Sequence, residues 1–196
     1  TELLNDLGVS TASRPTIGTF HSIGATILRR EAERLGLDRN FSIYDSADSE
    51  NLVKEIMMEQ NIDVKQAKPR AVAGMISSAK NDLLSPEDYG YEHSGYIEDI
   101  VAQVYTSYQK QLRDQNSVDF GDLLSLVVKL FVEHDEVLKK YQSKFKYLLV
   151  DEYQDTNKAQ YEMIRMLAGE SMNICVVGDD DQGIYGWRGA DIGNIL

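Results

Sequence analysis

Tyr147-Leu148-Leu149-Val150-Asp151-Glu152 is an apolar run that ends in two adjacent carboxylates. So short an apolar run between polar neighbours fits a strand buried on both faces better than a helix. A second run of this kind, Ile174-Cys175-Val176-Val177, ends in Gly178-Asp179. Between the two, Tyr161, Ile164 and Leu167 fall on one face of a helix with Asp155 or Thr156 as its cap and Gly169 at its close. Strand, helix, strand in this order implies a parallel, buried sheet with Cys175 in its core. The expected fold class is therefore α/β.

Open parallel sheets take their ligands at the carboxyl ends of the strands. Successive residues leaving a strand point in different directions. Asp151 can then meet a magnesium ion while Glu152 faces the position of an attacking water. An apolar strand followed by Asp-Glu is also the pattern of a solvated acidic turn, so the neighbouring sequence has to decide. Downstream of the second run stands Asp180-Asp181-Gln182-Gly183-Ile184-Tyr185-Gly186-Trp187-Arg188-Gly189-Ala190. It puts a neutral amide suited to sensing a γ-phosphate beside aromatic groups suited to stacking on bases. Trp187 is the only tryptophan, and a buried packing role is its alternative reading.

Upstream, residues 16–20 are short and β-leaning. They run into a helix with Ile23, Ile27, Leu28, Ala32 and Leu35 on one face, ending near Gly36. From about residue 45 to 112 the apolar spacing is helical throughout, as in Leu52, Val53, Ile56 and Met57 or Ile97, Ile100, Val101, Val104 and Tyr108. Ser85, Pro86 and Asp88 supply a cap, a first-turn proline and an acid in the order a helix start needs. Tyr89, Tyr91 and Tyr96 beside that start read as packing or surface residues. Two further helices follow residue 116, one through Leu123, Leu124, Val127, Val128 and Phe131 and one around residues 137–141.

The single cysteine excludes an intramolecular disulfide and points to a reducing, cytoplasmic compartment. No apolar run approaches the roughly 18–20 residues that span a bilayer, and residues 1–10 carry no signal pattern, so membrane and secretion are not expected. A net charge of −12 counts against a nucleic-acid partner, because phosphate neutralisation needs clustered cations. It does not exclude a local groove that holds single strands by stacking and backbone amides.

Asp151-Glu152-Tyr153-Gln154-Asp155-Thr156-Asn157 and the segment from Val177 to Ala190 resemble the second and third signature motifs of the UvrD/PcrA/Rep-type superfamily 1 helicases. Gly18-Thr19-Phe20-His21-Ser22 is similar to that family's early DNA-contacting motif. Val118-Asp119-Phe120-Gly121-Asp122-Leu123-Leu124 is similar to its segment re-entering the first motor domain. The resemblance implies a partial RecA-like P-loop NTPase sheet with an inserted all-helical subdomain. Residues 1–28 and 117–196 would belong to the motor domain and 29–116 to the insertion. It also implies ATP and Mg2+ as cofactors, with Asp151 serving the metal, Glu152 activating water and Gln182 sensing the γ-phosphate. Thr19, Phe20, His21, Phe120, Tyr185, Trp187 and Arg188 would contact single-stranded DNA or a single-strand/duplex junction; His21, like Trp187, has an alternative reading, as a satisfied polar group near a strand end.

The implied activity is 3′ to 5′ translocation and duplex unwinding, in repair or replication and alongside proteins of those processes. There are departures from the family pattern, among them that the chain stops at Leu196, before the expected second motor domain. Gly183 stands where the family usually has serine, and no Gly-x-x-x-x-Gly-Lys-Ser/Thr loop occurs. The chain is accordingly expected to be a middle piece of a longer protein, inactive as an ATPase by itself. A non-catalytic DNA- or protein-binding module is the rival reading from another class, and a related helicase-nuclease subunit is the rival within the motor class.

Overall fold

The structure is a computed structural model, and it describes residues 15–179. Gln182, Gly183, Tyr185, Trp187 and Arg188 lie outside the described residues. Helix α1 (Phe20–Glu31) begins at Thr19, whose hydroxyl accepts from the Ser22 backbone N–H at 3.3 Å. The Ser22 hydroxyl in turn donates to the Thr19 carbonyl at 2.9 Å, which is helix-entry chemistry. Residues 16–19 do not form the expected strand: they are exposed, and Thr19 is extended only as a cap. No described strand pairs with them, and β-leaning residues without a ladder partner remain coil. After a 3-10 turn (Ala32–Leu35), Gly36 reverses the chain at φ 71°, as its position at the end of the apolar face requires.

Strand β1 (Ser42–Tyr44) then pairs in parallel with β2 (Ser117–Asp119), Ile43 opposite Val118. This pairing is not visible in the periodicity, because three residues in each strand carry too little pattern. Between the two strands lie four helices, α2 (Ser46–Glu59), α3 (Pro69–Asn81), α4 (Pro86–Glu92) and α5 (Tyr96–Asp114). They share one core, built on Leu52, Val53, Ile56, Ile76, Val104 and Leu112. The expected cap of α4 is present: the Ser85 hydroxyl accepts from the Asp88 N–H at 3.1 Å, and the Asp88 carboxylate accepts from the Ser85 N–H at 3.2 Å. Tyr89 is buried against this core and stacks on His93, whereas Tyr91 and Tyr96 are exposed.

The second core forms around α6 (Asp122–Glu133), with α1, α7 (Asp135–Lys144) and α8 (Lys158–Ala168) against it. Leu28, Phe41, Val118, Leu124, Phe131 and Tyr141 are all buried there. Each such side chain stabilises the fold by about 1.5–3 kcal/mol. Helix α1 crosses α6 closely, and Gly24 permits it: a Cβ there would stand 2.3 Å from the Leu123 carbonyl oxygen.

β3 (Leu148–Val150) and β4 (Ile174–Val176) flank α8 in sequence and pair in parallel, as the order of elements implies. The expected burial of this sheet does not hold. Leu149 is 77% exposed, Val176 43% exposed, and Cys175 is an exposed thiol and not a core residue. One face of the pair rests on the helices, and nothing among the described residues covers the other. The cap of α8 is also one residue later than expected. Asn157, and not Asp155 or Thr156, accepts from the Gln160 N–H at 2.9 Å, and Gln160 reciprocates at 2.9 Å. The Thr156 hydroxyl instead closes the preceding 3-10 turn (Tyr153–Asp155) by donating to the Tyr153 carbonyl. The architecture is thus mixed: two helix-lined cores and two short parallel sheets.

Candidate functional site

The parallel ladder continues one step past β3 and β4. The Val177 N–H donates to the Val150 carbonyl at 2.8 Å, and the Tyr153 N–H donates back to the Val177 carbonyl at 3.0 Å. Asp151 and Glu152 bulge out between these bonds, and both are exposed. Glu152 makes the turn in a left-handed conformation, φ 51° and ψ 44°, which costs a residue with a Cβ about 1–2 kcal/mol. Two bonds hold it there. The Glu152 N–H donates to Asp151 Oδ1 at 3.0 Å, and Gln154 Nε2 donates to Glu152 Oε2 at 2.7 Å. One carboxylate oxygen of Glu152 is thereby fixed.

Gln154 is only 2% exposed, and its amide oxygen accepts from the Asp179 N–H at 3.0 Å. Gln154 lies inside the Asp151–Asn157 motif, but an uncharged amide has no sequence pattern of its own that would point to this role. Asp155, next along, has a buried oxygen, Oδ1, without a hydrogen-bond partner.

A cleft of about 940 Å³ opens over this turn. Thr19, Phe20 and His21 line it from one side and Asp151, Glu152 and Asp155 from the other. A second cleft of about 870 Å³ meets it at His21, Asp155 and Gln160 and runs along α3 past Phe120. Of the sequence-predicted residues inside the described range, these clefts collect Thr19, Phe20, His21, Phe120, Asp151 and Glu152. His21 and Phe120 meet edge to face, ring centroids 5.6 Å apart. Burial holds the His21 imidazole below its ordinary pKa, so it is neutral at physiological pH. Phe20 is half-buried and packs on the α6 core, while Phe120 is 52% exposed.

An apolar ring so exposed needs a rigid mount, and Phe120 has one. Asp119 Oδ1 accepts from the Asp122 N–H at 2.9 Å, and Asp122 Oδ2 accepts from the Asp119 N–H at 3.1 Å, pinching the loop around Phe120. Lys80 from α3, 1% exposed, bonds Asp119 Oδ2 at 2.7 Å and Asp122 Oδ1 at 2.9 Å. The Tyr108 hydroxyl and Gln109 amide of α5 supply further donors. Burial disfavours the Lys80 charge, but the two carboxylates outweigh it and hold the ammonium above its ordinary pKa. Burial also works against the Asp119 carboxylate, and the Lys80 ammonium keeps it ionised. Burial and the neighbouring Asp119 charge push Asp122 up. Lys80 had no sequence signal, since only the fold brings it to Asp119.

The sequence profile of the UvrD/REP helicase N-terminal domain matches residues 1–196. The chain belongs to this family. Its sequence is 52% identical over 180 residues to the ATP-dependent DNA helicase PcrA of Bacillus subtilis strain 168, covering 92% of this chain and 24% of that protein. It is 50% identical over 180 residues to the ATP-dependent DNA helicase PcrA of Staphylococcus aureus strain Mu50, covering 92% and 25%. This UvrD/REP-type chain therefore spans about a quarter of the length of those relatives.

Proposed function

We propose that this chain is part of a longer ATP-dependent DNA helicase. In this reading Asp151 and Glu152 serve ATP hydrolysis, and the clefts along Thr19, Phe20, His21 and Phe120 carry single-stranded DNA. The observation that carries the reading is the exposed Asp151–Glu152 turn at the carboxyl end of the β3–β4 pair, opening into one cleft with Thr19–His21. The ~50% identity to DNA helicases supports it.

The residues present fit a magnesium ion that arrives with nucleotide. Among the described residues no group of three or more His, Cys, Asp or Glu could hold a metal by itself. Mg2+ in nucleotide sites needs only one or two carboxylates beside the phosphates, and the exposed Asp151 offers one. Bound Mg2+-ATP would supply the phosphoryl group and the cation that neutralises its charge. Glu152 accepts the proton of the attacking water, a role worth about 10²- to 10⁴-fold in rate. Gln182 senses the γ-phosphate, while Tyr185, Trp187 and Arg188 extend the DNA-contacting surface. Stacking tolerates any base, as movement along DNA requires.

In this reading the α6-centred core belongs to a RecA-like motor domain and the α2–α5 core is a helical insertion. The packing of Ala32, Leu37 and Phe41 with α6 supports a start for this insertion nearer residue 42 than the expected residue 29. The protein acts in the cytoplasm, moves 3′ to 5′ and opens duplex at junctions during repair or replication. The chain by itself is inactive as an ATPase. Among the described residues no helix is long and apolar enough to cross a membrane.

The test is phosphate release by the full-length protein with and without single-stranded DNA, for the natural sequence and Glu152→Gln. DNA-stimulated release that the substitution lowers at least about 100-fold, with nucleotide still bound, is the expected result. Absence of DNA-dependent release, or an unaffected variant, would replace the motor reading with that of a binding module.

A further inference from the structure

The Glu152 carboxylate is anchored to one side chain, and that side chain is anchored elsewhere. Gln154 spends its two functional groups in opposite directions: its NH₂ donates to Glu152 Oε2 at 2.7 Å, and its carbonyl oxygen accepts from the Asp179 N–H at 3.0 Å. Gln154 itself is buried, 2% exposed, so its amide depends on these two partners for its hydrogen bonds. The backbone around it is shaped to the same end. A Cβ on Gly178 would stand 2.6 Å from Gln154 Oε1 and 3.3 Å from the Gln154 backbone nitrogen. Only glycine lets the chain leaving β4 approach the amide this closely. The Tyr153 N–H to Val177 carbonyl bond, 3.0 Å, braces the same junction.

We propose that Gln154 is a positioning residue that fixes the Glu152 carboxylate and links it to the chain leaving β4. Asp179 stands three positions before Gln182 in the sequence. A displacement of the β4 exit therefore moves the Gln154 amide, and with it the oxygen that sets the direction of Glu152. The turn at Glu152 is left-handed and strained, so the carboxylate keeps its aim only while the amide holds it. The link gives DNA-contacting residues downstream of Asp179 a mechanical route to the water-activating group. This rests on the reading of Glu152 as the base.

The test uses the full-length protein and measures kcat and KM for ATP with saturating oligothymidylate, together with oligothymidylate affinity. Four variants are compared: Gln154→Met, Gly178→Ala, Glu152→Gln, and Glu152→Gln with Gln154→Met. Methionine keeps the length of the side chain and removes both hydrogen bonds. The expected result for Gln154→Met is a kcat at least about tenfold lower, with KM and DNA affinity within about twofold. Its effect disappears in the Glu152→Gln background, because a positioning residue has nothing left to position. Gly178→Ala, which displaces the amide while retaining it, lowers kcat in the same way and carries the test if Gln154→Met does not fold. An unchanged kcat in Gln154→Met, or an equal loss with and without Glu152, overturns the proposal while leaving Glu152 as the base. Hydrolysis that survives Glu152→Gln overturns the reading on which the proposal rests.

Discussion

Phe120 shows how a single residue can be exposed and yet fixed. Its ring is 52% exposed and touches His21, while Asp119 before it and Asp122 two positions after it are tied together by reciprocal bonds. A ring held this way loses little entropy when a base stacks on it. Phe120→Ala is expected to weaken binding of single-stranded DNA to the full-length protein by about 1–3 kcal/mol, the worth of one stacked base. The melting temperature should hardly move, because little packing is removed. Fluorescence anisotropy with a labelled oligothymidylate, paired with a thermal melt, separates the two effects.

At the scale of elements, the helices depend on chemistry at their ends and on how closely they approach. Helix α8 begins at the reciprocal Asn157–Gln160 pair, directly after the turn that carries Glu152. Asn157→Ala should destabilise the fold by about 1 kcal/mol through loss of the cap, read as a lower urea midpoint at unchanged slope. The α1–α6 crossing is set by Gly24. Gly24→Ala pushes a methyl group into the Leu123 carbonyl, 2.3 Å from an ideal Cβ, and should cost about 1–3 kcal/mol by overpacking. Because α1 begins at Thr19 and α6 follows Phe120, that variant should also alter the His21–Phe120 contact. A changed chemical shift of the His21 ring protons would report it.

For the whole molecule the question is what joins the two cores. The β1–β2 pair is one tie among the described residues, and the buried Lys80 cluster, linking α3 and α5 to β2 and α6, is another. Removing the cation leaves two carboxylates in a dry site, so Lys80→Met should cost about 3–5 kcal/mol in urea unfolding. Adding Asp119→Asn and Asp122→Asn to it should recover part of that loss, which a simple volume effect would not. Acid acts on a different joint. Glu31 of α1 is 7% exposed, and burial alone would raise its pKa. Lys140 of α7 at 2.5 Å and Arg34 at 3.3 Å outweigh burial and hold it below the ordinary 4.5. Between its folded value and 4.5 the unfolded chain binds more protons, so stability falls as pH falls through that window and is fully present above it. Lys140 is 60% exposed, so the screened pair is worth about 1 kcal/mol. The stability gap between the natural sequence and Glu31→Gln should therefore be present at neutral pH and close near the acid end of that window.

Much of this was legible in the residues alone. Periodicity located α1, α5 and α6, the Ser85-Pro86-Asp88 order located the start of α4, and an apolar run ending in Asp151-Glu152 located the candidate site. These are local signals, set by the 3.6-residue repeat, by backbone groups that need caps, and by where a strand must end. Other features were decided only by the tertiary structure. Residues 16–19 are β-leaning but find no ladder among the described strands, and Cys175 is apolar in its sequence context yet exposed because one face of β3–β4 is uncovered. Lys80 meets Asp119 across 39 positions, and Gln154 meets Asp179 across 25. The chain specifies short-range geometry through its own backbone. Which distant donor meets which acceptor is fixed only when packing brings them together.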